Sequence, residues 1–359
     1  MSTNLMIDNW LLQDISQTLN NGLSTDMTNQ IIIDHKKNNY SYGQLPKAAV
    51  EIECIINFLV DLVTRDNLIF DKEYSYVWNN FPELVNLNKE AIISPYEVDT
   101  KSDLFLAGRT VALSNICVNE EMLKTQKMNE DAWASKGKSD DEFFSQTIWG
   151  TAGNLSRSNL TSAPYSPHPI RKLILEQTLF KESKPDAVKT TSEWINSERV
   201  RIFSEVSPDI TFNAAQVILQ PIAVEIIESC SDVKDLFTVA LQVRKRYKRL
   251  RKFLGDYQAA IDSENPKAIM KCKKTIGEVH EIVASNNSLK YGNTSISSGT
   301  AFLNVGHPLP KITHKFGIRA TLQKIIFQKK GEASLKKLLF MLDLKNDVLR
   351  EDVYNHFKK

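Results

Sequence analysis

Apolar residues recur at alternating steps of four and three positions between residues 236 and 261. This spacing places them along one face of a helix, as at the a and d positions of a coiled coil. Asn265 and Pro266 then provide an N-cap and a first helical residue for a second amphipathic helix. Because the connection is short, the pattern predicts an antiparallel helical hairpin over about residues 232–284. The apolar seam of the first helix comprises Leu236, Ala240, Val243, Tyr247, Leu250, Leu254, Tyr257 and Ile261.

Helical periodicity also dominates most of the remaining chain. The sequence therefore predicts a mainly α fold, a multi-helix bundle that contains the hairpin and a few short β-strands. Residues 4–20 predict an amphipathic helix and residues 49–63 an apolar core helix, whereas β-like runs occur at 31–33, 68–70 and 300–305. Three regions are expected: an N-terminal mainly helical region (1–206), a helical bundle with the basic hairpin (207–284), and a β-like loop followed by C-terminal helices (285–359).

The composition is that of an ordinary globular protein, with 25% charged and 42% hydrophobic residues in 359. The apolar run at 49–63 carries Glu51, Glu53 and Asp61 and is shorter than a membrane-spanning helix requires. The amino terminus has neither the basic nor the apolar part of a signal peptide. The four cysteines are far apart in apolar patterns, which is typical of buried thiols in a reducing compartment. We therefore expect a soluble, cytoplasmic protein without a membrane span.

A dense cationic run, RKRYKRLRK, occupies residues 244–252, although the net charge of the chain is only +2. Its charged positions lie between the seam positions, so they project sideways and outward. Several cations on one helix suit contact with the phosphates of a nucleic acid or with an acidic protein partner. The structural alternative is a solvated basic flank, paired in part with the acidic region 51–103. The candidate anion-binding residues are Arg244, Arg246, Lys248, Arg249, Arg251 and Lys252.

A second candidate site lies between residues 149 and 171, where three prolines within six residues predict a stiff, extended connection. A histidine on a rigid loop beside an arginine suits a general base with an anion holder. The structural alternative is that the histidine caps the helix that Pro169 begins, with the aromatic side chains packed beneath it. The catalytic candidates are His168, Arg171, Arg157 and Tyr165.

Three functional hypotheses follow from these features. The first is a non-enzymatic helical protein that contacts nucleic acid or another polyanion through the basic helix face. The second is a bacterial defence or toxin-like effector enzyme, in which His168, Arg157 and Tyr165 meet in one cleft. The third is a scaffold subunit that forms a homo-oligomer through the seam. No spacing of cysteine, histidine or glycine matches a metal, cofactor or phosphate motif, so we expect neither metal nor cofactor.

Overall fold

The computed structural model describes residues 3–178, 186–206, 219–288, 317–327 and 331–357. Helices account for most of these residues, which confirms the mainly α prediction. The strands are β1 (Asn4–Ile7), β2 (Met27–Asp34), β3 (Asn39–Pro46), β4 (Asn67–Asp71), β5 (Ile93–Tyr96) and β6 (Tyr165–Ser166). The helices are α1 (Asn9–Asn21), α2 (Lys47–Thr64), α3 (Pro82–Lys89), α4 (Asp103–Ile116), α5 (Glu120–Lys136), α6 (Glu142–Phe144), α7 (Gly150–Thr161), α8 (Pro169–Gln177), α9 (Ala187–Val206), α10 (Pro221–Ser229), α11 (Leu236–Arg246), α12 (Lys248–Asp262), α13 (Pro266–Ser288), α14 (Gly317–Phe327), α15 (Gly331–Met341) and α16 (Asp347–Phe357).

Four strands form a parallel sheet in the order β5-β4-β1-β6. The prediction of a helix over 4–20 is wrong for its first residues, because 4–7 form β1 and the helix begins at Asn9. Leu5, Met6 and Ile7 are each at most 3% exposed. A strand buried on both faces has a continuous apolar run, which sequence periodicity does not distinguish from a short buried helix.

The β-like runs at 31–33 and 68–70 lie in β2 and β4, as the sequence predicts, whereas the run at 300–305 lies outside the described residues. β2 and β3 form a separate antiparallel hairpin between α1 and α2. The chain between β5 and β6 forms four helices, α4 to α7, with a π-helical turn at Ser145–Trp149. These helices precede the return of the chain to the sheet at β6.

Helix α2 belongs to the largest buried apolar cluster and packs against α1, α10, α11 and α16. It contains the core helix that the sequence predicts at 49–63. The cluster draws residues from each of the three predicted regions, for example Leu12, Val243 and Leu339. None of the helices in the described ranges combines the length and apolarity that crossing a membrane requires.

The predicted seam is divided between two helices. α11 ends and α12 begins at Tyr247, whose backbone angles of φ −88° and ψ 16° interrupt the helix. The seam residues from Leu236 to Tyr257 are buried, and Ile261 is partly buried. α11 packs against α2 and α10, and α12 packs against α9 and α13. The seam therefore faces the core of its own chain.

Candidate functional sites

The strand order of the parallel sheet reverses beside β1. From β1 the chain adds β4 and β5 on one side and later adds β6 on the other. In open parallel sheets, ligands bind outside the carboxyl ends of the strands at such a reversal. Because Ile7 pairs with Phe70, Asp8 directly after β1 lies beside Asp71, the last residue of β4. We call this part of the molecule the carboxyl edge, and it begins with two neighbouring aspartates.

Asp8 is the centre of a buried hydrogen-bond network. Both of its carboxylate oxygens accept from Nη1 of Arg171, at 2.6 and 2.7 Å. The Tyr165 hydroxyl donates to Oδ2 at 2.5 Å, and the backbone amides of Trp10 and His168 also donate to this carboxylate. Burial by itself would raise the pKa of Asp8, but Arg171 and the other donors lower it below its usual value. Asp8 is therefore held as a carboxylate although only 2% of its surface is exposed.

Asp71 has an arginine partner of its own. Nε of Arg157 lies 2.5 Å from Oδ2 of Asp71, and Nη2 of the same arginine lies 3.8 Å from the exposed Glu73. The Arg157 guanidinium also lies 5.0 Å from the ring centre of Phe105 and 5.4 Å from that of Tyr74. Each of the two aspartates at the carboxyl edge is thus neutralised by one buried arginine, as a buried charge requires.

Two glycines of α7 make room for these arginines. A Cβ atom on Gly150 would lie 2.1 Å from Nη2 of Arg171, and one on Gly153 would lie 2.9 Å from Nη1 of Arg157. The backbone oxygen of Gln146, in the π-helical turn before α7, accepts from Nε and Nη2 of Arg171 at 3.1 and 2.8 Å. The turn and the start of α7 are therefore shaped around the two guanidinium groups.

His168 occupies the N-cap of α8, as the structural alternative predicts. Its Nδ1 accepts from the amide of Ile170 at 3.3 Å, and its Nε2 lies 3.0 Å from Oδ2 of Asp14. Its ring stacks on Trp10 with the ring centres 4.0 Å apart. Because Nδ1 accepts a hydrogen bond, the ring proton belongs on Nε2, which donates it to Asp14. Both ring nitrogens are thus engaged within the chain, and the residue is only 1% exposed.

One group of potential metal ligands occurs in the described part of the chain: Asp14, Cys54 and His168, whose ligand atoms lie within 4.8 Å of one another. A histidine that binds a metal through Nε2 donates a proton from Nδ1. Here Nδ1 faces the amide of Ile170, which is also a donor. Burial raises the pKa of the Cys54 thiol well above its usual value. The group therefore fits a hydrogen-bonded pair beside a buried thiol better than a metal centre.

The structure brings together part of the sequence-predicted catalytic set. Tyr165, His168 and Arg171 all contact Asp8, whereas Arg157 contacts Asp71 one strand away. Sequence reasoning missed both aspartates as site residues. The available signal was an acidic residue directly after a short apolar run, which marks the carboxyl end of a buried strand.

Two carboxyl groups of α2 titrate outside their usual ranges. Burial would raise the pKa of Glu53, but His356 at 3.3 Å and Lys172 at 2.8 Å outweigh it and lower this pKa to about 2. Burial raises the pKa of Asp61 to about 6, although nearby positive charge and a hydrogen bond from Ser166 oppose the change. Glu53 therefore links α2 to α8 and α16 as an ion, and Asp61 is partly protonated in mildly acidic solution.

Two arginines of the cationic run point into the chain. Arg244 donates to the backbone oxygens of Leu62, Arg65 and Asp66, the last at 2.6 Å. Arg251 donates to the oxygen of Val63 at 3.1 Å. Burial, followed by the charge of the neighbouring Arg251, lowers the pKa of Arg244 to about 10. These two candidates bind the carboxyl end of α2, where unpaired carbonyls and the helix dipole favour cations.

The remaining candidates of the run face outward. Arg246 forms an ion pair with Glu225 at 3.1 Å and is 45% exposed. Lys248, Arg249 and Lys252 are exposed, and so is Lys245. Arg244 and Arg251 contact the region 51–103 through backbone carbonyls of α2 and the following turn rather than through its carboxylates.

Comparison of the chain with protein-family models, with curated proteins and with solved structures finds no match. The functional argument therefore depends on the geometry of the carboxyl edge and of the cationic run.

Proposed function

We propose that this protein binds a polyanion, foremost the phosphate backbone of a nucleic acid, through four exposed cations on α11 and α12. These are Lys245, Lys248, Arg249 and Lys252, which we call the basic face. On α12, Lys252 follows Lys248 by four positions and Arg249 by three, so these three side chains share one side of the helix. Lys245 lies in the last turn of α11, directly before the interruption at Tyr247. Phosphate binding requires several cations that approach the backbone together. This one-sided exposure is the observation that carries the proposal.

We propose further that α12 and α13 form the antiparallel hairpin that the sequence predicts. The two helices pack against each other, with Tyr257 and Cys272 in one small buried cluster. Asn265 caps α13 by accepting from the amide of Ala268 at 3.1 Å. The exposed lysines of α13 would extend the cationic surface, and they are Lys267, Lys271, Lys273 and Lys274.

The expected mode of binding is contact with the sugar–phosphate backbone. Tyr247, the aromatic residue within the run, is 2% exposed, so it offers no face on which a base could stack. Lysine and arginine contacts to phosphate position a nucleic acid without reading its sequence. We therefore expect little preference among sequences of one type of nucleic acid.

The test is a salt titration of binding to mixed-sequence duplex DNA and to RNA. Four phosphate contacts on duplex DNA predict a slope of log K against log salt of about −3.6. Reversing Arg249→Glu and Lys252→Glu together should lower the affinity and reduce the slope by about 2. The matched control is Lys124→Glu with Lys127→Glu, which makes the same charge change on the exposed side of α5.

Equal loss of affinity in the two double variants would show that only the net charge matters. Absence of binding by the wild-type protein at low salt would contradict the nucleic-acid proposal. An acidic protein would then be the remaining partner for the basic face.

An enzymatic role at the carboxyl edge is the second candidate, and the strand-order reversal favours it. His168 is poorly placed as a general base, since both ring nitrogens already have partners. If the protein is a toxin-like enzyme, expression of the wild-type chain should arrest bacterial growth. Asp71→Asn should then relieve the arrest. Normal growth with the wild-type chain would contradict it.

Assembly of a scaffold through the seam has less support. The seam residues of α11 pack against α2 and α10 of the same chain, so pairing with a second chain would require this core to open. A concentration-independent monomer in solution would agree with the intramolecular arrangement.

A further inference from the structure

Arg109 of α4 is a half-buried cation with no anionic partner among the described residues. Its guanidinium carbon lies 5.2 Å from the ring centre of Trp149 and 5.6 Å from that of Phe105. Burial lowers the pKa of Arg109, and the negative charge of Glu130 opposes this effect from beyond ion-pair distance. A guanidinium group has five N–H donors. An arginine that is partly removed from water without an acceptor is therefore suited to receive an anion from outside the chain.

Trp149 provides a second donor beside Arg109. Its Nε1 atom is buried and has no hydrogen-bond acceptor in the part of the chain that the structure describes. Buried indole N–H groups usually have a partner. The neighbouring Trp133 meets Trp149 edge-on, with ring centres 6.2 Å apart, and is 54% exposed. The Trp149 indole therefore lies against both the Arg109 guanidinium and the exposed Trp133 ring.

These three side chains adjoin the carboxyl edge. Trp149 directly precedes Gly150, the residue that makes room for Arg171 on Asp8. Phe105 contacts both Arg109 and the Arg157 that pairs with Asp71. Phe105, Arg109, Trp133 and Trp149 all belong to the helical segment between β5 and β6. The group therefore lies at the side of the sheet where open parallel sheets bind their ligands.

We propose that Arg109, Trp133 and Trp149 form a binding site for a nucleoside phosphate. The phosphate oxygens would accept from the Arg109 guanidinium and the Trp149 indole, and the base would stack on the exposed ring of Trp133. An anion alone would satisfy the two donors, but the exposed indole beside them offers a planar apolar face as well. Base–aromatic stacking next to an arginine is a recurrent mode of nucleotide binding. We call this group the Arg109 site.

The Arg109 site is distinct from the basic face, which has no exposed aromatic residue. The bound nucleoside phosphate could be a free mononucleotide or the end of a single-stranded nucleic acid. Arg109, Trp133 and Trp149 would make the same contacts with either ligand. The experiment therefore titrates the full chain with adenosine, guanosine, cytidine and uridine monophosphates, with a short single-stranded RNA, and with inorganic phosphate. Stacking on Trp133 should quench tryptophan fluorescence. In Trp133→Phe, the part of the quenching that arises from Trp133 should be absent.

Arg109→Gln and Trp133→Ala should each weaken binding by about 5- to 150-fold, the range that corresponds to loss of one base–aromatic stack or a comparable contact. Lys124→Gln, on the exposed side of α5, is the control and should bind as the wild type does. Because the Trp133 side chain is exposed, Trp133→Ala should keep the unfolding temperature of the wild type. This variant therefore tests the proposal even if Arg109→Gln folds poorly. The RNA comparison uses the Arg249→Glu, Lys252→Glu variant, in which binding at the basic face is weakened. In this variant, tighter binding of the RNA than of any mononucleotide would place the ligand in a strand, and the reverse would identify a free nucleotide.

Three results would overturn the proposal: no saturable binding of any nucleotide, equal affinity of Arg109→Gln and the wild type, or inorganic phosphate binding as tightly as the nucleotides. The Arg249→Glu, Lys252→Glu variant should bind mononucleotides normally. Failure of the basic face and failure of the Arg109 site can therefore be told apart.

Discussion

Replacement of Arg244 by alanine should destabilise the protein far more than replacement of the exposed cations that surround it in sequence. Its guanidinium donates to three backbone oxygens at and just beyond the carboxyl end of α2. α2 carries 14 buried residues and belongs to the main core. Loss of the side chain would leave these carbonyls, at the end of a core helix, without their charged donor.

The size of the effect follows from the number of bonds. A hydrogen bond to a charged group contributes about 1.5–3 kcal/mol, and water entering the space would replace part of three such bonds. We expect a loss of about 3–5 kcal/mol in the free energy of unfolding, against a total stability of about 5–15 kcal/mol for a typical domain. Arg249→Ala, on the exposed side of the run, should change stability by no more than about 0.5 kcal/mol.

The assay is urea denaturation monitored by circular dichroism, with nucleic-acid binding measured on the same samples. Arg244→Ala should lower the midpoint by about 1 M or more. Arg244→Lys retains the charge but not the forked donor geometry, so it should fall between the wild type and alanine. A loss below about 1 kcal/mol for Arg244→Ala would refute the capping role and return Arg244 to the ligand-binding candidates.

Further predictions concern packing and pH. Gly150→Ala should displace the Arg171 guanidinium and lower the unfolding temperature, whereas Gly277→Ala, in open space on α13, should raise stability by about 0.5–1 kcal/mol in thermal or urea unfolding. Because the folded-state pKa of Glu53 is lowered from 4.5 to about 2, its stabilising contribution should be complete above pH 4.5 and lost as the pH falls towards 2. Urea midpoints of Glu53→Gln should accordingly depend less on pH in that window, and an unchanged dependence would contradict its ion pairs. The pKa of Asp61 is instead raised from 3.8 to about 6, so the folded state holds an extra proton and stability should fall as the pH rises through this interval. Asp61→Asn should remove that fall and be more stable than the wild type above pH 6.

The sequence predicted correctly those helices whose buried residues recur at regular helical spacing. The seam positions from Leu236 to Tyr257 are buried, and α2 is a core helix, because helical periodicity records which face avoids water. The same reasoning misassigned residues 4–7, since a strand buried on both faces has no alternation to detect. It also missed Asp8 and Asp71 as a pair. They lie 63 residues apart and meet only because β1 and β4 are parallel neighbours.

The sequence by itself determined the mainly helical character, the alternation of seam and charge between residues 236 and 261, and the concentration of polar and aromatic groups between Trp149 and Arg171. Only the tertiary structure decided what each charge does. Arg244 and Arg251 are neighbours of exposed Lys248 and Arg249 in sequence, yet they bind carbonyls about 180 residues away. The physical reason is that periodicity fixes the direction of a side chain on its own helix, whereas the partner it meets depends on which distant element packs there.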